Sequence, residues 1–292
     1  MKGELFALGT AVTWSVAVIL FKKSGEKVKP FTLNFFRVGV SSVLFVLLLA
    51  ALRKPLLGAA PLKDYLILVA SGVIAIAISD TLFHMCLNRV GAGLNAIVDG
   101  LYSPSVVFFA WLLIGETIGT WQFLGMVSIF TGIYIASRHK PPPGATARQI
   151  AVGMLWGILS MLTLGLGIVI AKPVLNRSPV LWATAVRQIG TFLVMLPIAV
   201  ALPSRKKIFS NFRPSSDWNY MLPGTIVGSF LSLIFWIAGM KYTKAGIAAI
   251  LNQTSSIHIL IFAAIFLREP LTPRKIIAVV LAMAGILMVT TG

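Results

Sequence analysis

Arg89-Val-Gly-Ala-Gly-Leu-Asn-Ala-Ile-Val-Asp99 returns in altered form further along the chain. Adding 153 to each number gives Tyr242-Thr-Lys-Ala-Gly-Ile-Ala-Ala-Ile-Leu-Asn252, so Gly93 falls on Gly246, Ala96 on Ala249 and Ile97 on Ile250. The register continues from Glu116 to Glu269 and from Gly132 to Gly285. Nearer the N-terminus the offset is 150: Gly3 meets Gly153, Thr13 meets Thr163, Lys22 meets Lys172 and Arg37 meets Arg187. An internal repeat of this length decides architecture before local propensity does.

The repeated unit is apolar. Of 292 residues, 58% are hydrophobic and 11% charged, against about 25% charged in a soluble domain. Ten apolar segments stand out, at 4–21, 32–52, 65–87, 93–114, 120–137, 150–171, 180–202, 219–240, 246–267 and 273–290. Each is near the roughly 20 residues that cross about 30 Å of hydrocarbon as a helix. The runs are continuous rather than alternating, which disfavours a barrel. The first, around Leu5–Phe21, lacks a small-x-small cleavage site before Lys22 and has a counterpart in the second copy, so it reads as a spanning helix. The expected fold is all-α, with ten transmembrane helices as two five-helix repeats. Five is odd, so homologous units in one chain cross in opposite senses, the inverted-repeat plan of secondary transporters. Residues 1–137 form the first repeat, 138–149 a Pro-rich linker and 150–292 the second.

The formal charge of +17 suggests nucleic acid only in a soluble protein. Here the basic residues sit in loops, as they do opposite anionic headgroups, so the bilayer is the expected partner and nucleic acid is not. Lys22, Lys23, Lys27, Lys29, Arg89, Arg138, Lys140, Arg148, Arg205, Lys206, Lys207, Arg213, Arg268, Arg274 and Lys275, 15 in all, fall on the face of the odd-numbered loops, against 8 on the other: Lys2, Arg53, Lys54, Lys63, Lys172, Arg177, Lys241 and Lys244. The charge rule places that face, and not the N-terminus, in the cytoplasm. The single cysteine, Cys86, permits no internal disulfide and no cysteine metal cluster. No cofactor is expected.

Each unit also carries an early Arg (Arg37, Arg187), a short Ala/Gly turn (Gly91-Ala-Gly93, Ala245-Gly246), a Glu before its last helix (Glu116, Glu269) and a glycine within it. Over its whole length the chain resembles the EamA-type branch of the drug/metabolite transporter superfamily. The resemblance implies a permease of the prokaryotic cytoplasmic membrane, monomer or homodimer. It would export or import amino acids, drugs or similar small solutes, with a proton or counter-solute as partner and cytoplasmic termini.

Ionisable groups within membrane helices are expensive and call for a reason. Arg37, Asp80 and Asp99 fall at one depth, roughly 8–10 Å from the odd-loop face at 1.5 Å per residue. His84 shares a helix face with Asp80, as Asn95 and Ser103 do with Asp99. These residues suit a charged gate or a proton-coupling site; a buried pair of Arg37 with Asp80 or Asp99 that only satisfies its members is the plainer reading. In the second copy Asn252 replaces Asp99 and Leu233 replaces Asp80, so Arg187 has no acid at its depth. Gln188, Asn252, Gln253, Ser255, Ser256 and His258 surround it instead. An unpaired Arg among amides and hydroxyls suits a carboxylate or similar anionic group of a solute; interhelical glue is the alternative. Trp14, Trp156, Trp236 and Tyr102 would wall an apolar part of the cavity. Glu116 and Glu269 precede helices five and ten and read as structural groups at helix N-termini.

The expected function is thus a secondary transporter that binds a small, carboxylate-bearing metabolite between its repeats and moves it by alternating access. The competing readings are an intramembrane enzyme or a channel built on Asp80, His84 and Asp99. No hydrolase elbow or Walker loop appears.

Overall fold

A computed structural model of the protein describes residues 2–58, 60–115, 119–137, 146–242 and 251–291. Among these residues there is no strand. Helix α1 spans Lys2–Gly25 and α2 spans Pro30–Ala51. Pro30 stands in the first turn of α2, where its missing N–H costs nothing.

A helical run follows from Leu62 to Leu113, 52 residues long. At 1.5 Å per residue it would reach roughly 80 Å if straight, far beyond a bilayer. It is not straight. Gly91 has φ 84 and ψ 170, outside the helical region, in the gap between the third and fourth apolar segments. The run comprises α3 (Leu62–Gly72), a π-helical stretch (Val73–Ile78), α4 (Ser79–Val98), a 3-10 turn (Asp99–Leu101) and α5 (Tyr102–Ile114). Helix α6 covers Thr120–Ser137.

In the second half, α7 is Ala147–Arg177 and α8 is Val180–Ala201. A capping box opens α7: Thr146 accepts from the Gln149 backbone while the Gln149 side chain accepts from the Thr146 N–H. The end of the expected linker, 146–149, is therefore helix and cap. The rest of it, 138–145, lies outside the described residues. The short α9 (Arg205–Ser210) precedes α10 (Trp218–Gly224), a second π-helical stretch (Thr225–Ser232), α11 (Leu233–Tyr242), α12 (Ser255–Phe266) and α13 (Pro273–Thr291). Among the described residues six helices are long and apolar enough to cross a membrane, with shorter apolar helices at Thr120–Ile135 and Leu251–Phe266. Large apolar side chains face outward along them, Leu47, Leu66, Phe130, Ile265 and Val280 among them. A water-soluble surface does not tolerate patches of that kind; lipid does.

The repeat recurs in the geometry. Thr13 donates to Gly9 O at 2.7 Å and Thr163 to Leu159 O at 2.8 Å. Ser41 donates to Arg37 O and Thr191 to Arg187 O, both at 2.6 Å. The stretch Val73–Ile78, advanced by 153, is 226–231, inside the second π segment. The closest packing is between α6 and α13. A Cβ on Gly132 would lie 2.8 Å from Ala278 O, and one on Gly285 would lie 2.5 Å from Gly125 O. These are one contact exchanged by the repeat, since 132 + 153 is 285 and 125 + 153 is 278. Such reciprocity is the mark of a two-fold relation. Only a residue without a side chain allows this approach, as at other membrane helix crossings.

Candidate functional site

A cavity of about 210 Å³ lies between the halves. The first half contributes Thr10 and Trp14 from α1, Arg37 from α2, Ser79, Asp80 and Phe83 from α4, and Asp99 and Tyr102. The second half contributes Ser160 from α7, Thr184, Arg187 and Gln188 from α8, Ser229, Ser232 and Trp236, and Asn252, Gln253 and Ser255. Both π stretches border the cavity, through Ala75 and Ile76 and through Gly228, Ser229 and Ser232. A π turn rotates the side chains that follow it off the 3.6-residue stripe, and such turns concentrate at functional sites.

Arg37 is buried and fully engaged. Its Nη2 lies 3.4 Å from Asp80 Oδ2, its Nε donates to Ser229 Oγ at 2.8 Å, and its Nη1 meets His84 Nε2 at 2.5 Å. The guanidinium carbon stands 4.2 Å from the centre of the Phe21 ring. Ser229 belongs to the second half, so this cluster ties the halves together. Asp99 takes no part in it. Asp99 lies beyond the break at Gly91, and among the described residues its carboxylate meets only Asn95 Nδ2, at 3.3 and 3.4 Å. Common depth does not bring Arg37 and Asp99 into contact, because Arg37 is already saturated. His84 belongs to the Arg37 cluster but does not line the cavity.

Arg187 occupies the equivalent place in the second repeat with the opposite outcome. It is buried at 4% exposure, makes no ion pair among the described residues, and its Nε has no hydrogen-bond partner. Gln188 beside it donates to Ser41 Oγ. Asn252 lines the cavity with both side-chain polar atoms unpartnered. The expected stripe over 252–256 divides. Asn252 and Ser255 face the cavity, whereas Ser256 turns to α4 and donates to Ala96 O at 3.1 Å. His258 packs on the Phe262 ring at 6.4 Å and does not reach the cavity. Ser256 and His258, expected among the solute contacts, thus lie outside the cavity lining. Trp14, Trp236 and Tyr102 line the cavity as walls; Trp156 does not.

Sequence reasoning overlooks the hydroxyls of Thr10, Ser79, Ser160, Thr184, Ser229 and Ser232. A signal existed: Thr10 and Ser160 match at offset 150, and Ser79 and Ser232 at 153. Ser79 and Ser160 also join α4 to α7, each donating to the other's carbonyl, at 2.8 and 2.9 Å.

The stretch on which the repeat was found also joins the two halves. Glu269 accepts from the Ala92 and Gly93 N–H groups at 2.7 and 3.0 Å. It also pairs with the buried Lys275 at 3.4 Å. Glu269 was expected to serve the helix it precedes. It instead caps, from the other half, the helix that restarts after Gly91, where the first N–H groups have no intrahelical partner. A Cβ on Gly91 would lie 2.7 Å from Glu269 Oε1. Lys22 donates to Asn88 O near Glu269, at 3.2 Å. Glu116, Ala245 and Gly246, the corresponding residues, lie outside the described residues.

The sequence pattern of the EamA-like transporter family matches the chain twice, at residues 1–138 and 151–291. An uncharacterized transporter of Archaeoglobus fulgidus is 23% identical over 288 residues, which cover 97% of this chain and 96% of the relative. The uncharacterized transporter YvbV of Bacillus subtilis is 23% identical over 212 residues, covering 68% of this chain and 65% of its own length. A solved structure titled only as a crystal structure of a protein superposes with a TM-score of 0.69 at 16% identity, over 98% of this chain and 95% of that one. That likeness concerns the fold alone.

Proposed function

The chain belongs to the EamA-like transporter family, and we propose that it moves a small organic solute with an anionic head, such as a carboxylate-bearing metabolite, by alternating access. The solute is held in the cavity between the repeats. The observation that carries this reading is Arg187. A buried guanidinium whose Nε has no partner is costly to keep unless something supplies an acceptor. Its planar fork of donors matches a carboxylate. Gln188, Asn252 and Ser255 line the same cavity with neutral polar groups, and Trp14, Tyr102 and Trp236 accommodate an apolar body. At about 210 Å³ the cavity is smaller than the roughly 300–1,000 Å³ of sites for drug-sized ligands, which favours a small metabolite.

Two five-helix units of opposite sense, ten crossings in all, are the architecture that goes with this reading. The reciprocal Gly132–Ala278 and Gly125–Gly285 approaches support it. The Arg37–Asp80–His84 cluster is neutralised within itself and bridges to Ser229, which suits a gate between the halves rather than a solute contact.

Counterflow in liposomes tests the proposal. Purified protein is loaded with excess unlabelled solute and challenged with trace labelled solute, across a panel of carboxylates, amines and neutral polyols. We expect saturable, trans-stimulated accumulation of a carboxylate-bearing member. Non-saturable flux without trans-stimulation would indicate a channel, and a chemically altered solute would indicate an enzyme.

A further inference from the structure

Away from the cavity two further ion pairs join the halves, and the repeat turns one into the other. Arg177, the last residue of α7, pairs with Asp64 in the first turn of α3. Lys27, just past α1, pairs with Asp217 at the start of α10. Offset 150 carries Lys27 onto Arg177, and offset 153 carries Asp64 onto Asp217. Each pair is therefore the other with the halves exchanged. Helix α2 is long and apolar enough to cross the membrane and separates Lys27 from Asp64, so the two pairs stand on opposite faces.

Their surroundings repeat as well. The residue after each acid pins the loop before it: Tyr65 Oη donates to Leu56 O at 3.0 Å and Trp218 Nε1 to Asn211 O at 2.8 Å. Deeper in, the same helices touch at a glycine. A Cβ on Gly167 would lie 2.7 Å from Ala75 Cβ, and one on Gly228 would lie 2.6 Å from Ala17 Cβ. These contacts exchange under the same two offsets. Each lies roughly 15 Å along the helices from its ion pair, at 1.5 Å per residue. A close crossing of small residues gives the helices a point to rock about, with the ion pair at the far end of the lever.

The two copies differ in grip. Arg177 holds Asp64 with two donors, Nη2 to Oδ1 at 2.5 Å and Nε to Oδ2 at 3.3 Å, and its Nη1 donates to Pro173 O. The Asp64 side chain is only 6% exposed. Lys27 reaches Asp217 at 3.7 Å, beyond hydrogen-bonding range, and that carboxylate is 30% exposed. A guanidinium fork on a buried carboxylate holds more firmly than an exposed ammonium, whose pairing changes an equilibrium by about fivefold at most.

We propose that the two pairs are reciprocal latches, one on each face, engaged in turn. The Arg177–Asp64 latch is shut and the Lys27–Asp217 latch slack in this structure, and exchange of conformation between the repeats reverses them. Because the fork is the stronger grip, the resting equilibrium favours the state closed at Arg177–Asp64. The inference rests on the proposal of alternating access and adds the device that biases the cycle.

Distances between spin labels test it, read by double electron–electron resonance on the full chain in nanodiscs. One label pair, Lys63→Cys/Asn176→Cys, flanks the first latch, and its repeat equivalent, Glu26→Cys/Ser216→Cys, flanks the second. All four side chains are exposed and the native Cys86 is buried. Asp64→Asn/Arg177→Gln removes both charges of the first latch and orphans neither. It should shift the ratio of the two states by about fivefold or more, lengthening Lys63–Asn176 and shortening Glu26–Ser216 together. Lys27→Gln/Asp217→Asn should shift the ratio the other way by less. Lys27→Arg gives the second latch a fork and should act in the direction of the first double variant; it keeps every charge, so it serves even where that double variant melts early. Distances that stay unchanged, or that lengthen on both faces at once, while the wild type shows trans-stimulated counterflow, overturn the latches and leave alternating access standing. One fixed distance on each face in every variant, with wild-type flux that lacks trans-stimulation, overturns both.

Discussion

Asp80→Asn isolates the Arg37–Asp80 ion pair, which faces the cavity. The change keeps the shape of the side chain and removes the negative charge 3.4 Å from Arg37 Nη2. The guanidinium is then a buried cation with neutral company only: Ser229 Oγ at 2.8 Å, His84 Nε2 at 2.5 Å and the face of Phe21 at 4.2 Å. Leaving one member of a buried pair uncompensated costs about 3–5 kcal/mol. The three remaining contacts place the effect at the lower end, about 3 kcal/mol. Arg37→Met is milder. The Asp80 side chain keeps 20% of its surface exposed, against 4% for Arg37, so the orphaned carboxylate can take up water or a proton. The double variant Arg37→Met/Asp80→Asn removes both charges, and its loss should fall short of the sum of the singles by about 1–3 kcal/mol. Thermal unfolding in detergent, followed by tryptophan fluorescence, reads this as a melting temperature lowered by several degrees in Asp80→Asn, at roughly 2–4 °C per kcal/mol. The double variant recovers part of that fall. Additivity of the two singles to within about 0.5 kcal/mol would refute the reasoning.

Glu269→Gln keeps one acceptor oxygen and turns the other into a donor that faces an N–H of Ala92 or Gly93, so it should lower stability by about 1.5–3 kcal/mol in the same melt. Gly91→Ala should be comparably harmful, because φ 84 costs a non-glycine residue about 1–2 kcal/mol before its Cβ meets Glu269; an unchanged melt in either would contradict the cap. Ser256 and Asn252 should separate in a paired measurement of melting and uptake. Ser256→Ala loses an interhelical bond worth about 0.6 kcal/mol and leaves uptake per folded protein unchanged, whereas Asn252→Ala lowers uptake with the melt intact.

The repeat was legible because its paired residues keep their chemistry: Arg37 with Arg187, Thr13 with Thr163, Gly132 with Gly285. The helical class follows from apolar runs too long and too continuous for strands. The site was legible where a buried charge announced itself, as at Arg37, Asp80, Asp99 and Arg187. It was not legible where helix phase changes. The π stretches at Val73–Ile78 and Thr225–Ser232 shift every side chain after them, so a count of 3.6 across them does not predict that Ser79, Ser229 and Ser232 face the cavity. Nor does spacing alone resolve which neighbour a polar stripe meets. Asn252, Ser255 and Ser256 share one stripe, yet this stretch touches both the cavity and α4, and the last hydroxyl goes to α4. Glu269 was read along the chain toward the helix after it. The N–H groups it serves are 177 and 176 residues away, a distance local capping rules do not span.

The central claim is that Arg187 recognises the solute. Lysine at this position keeps the charge and loses the paired donors; glutamine loses the charge and keeps some of the shape. Counterflow into liposomes, run beside a melting curve for each variant, should show uptake weakened in Arg187→Lys and nearly abolished in Arg187→Gln, with both proteins folded as the wild type is. Wild-type uptake in both variants at unchanged stability would contradict the account.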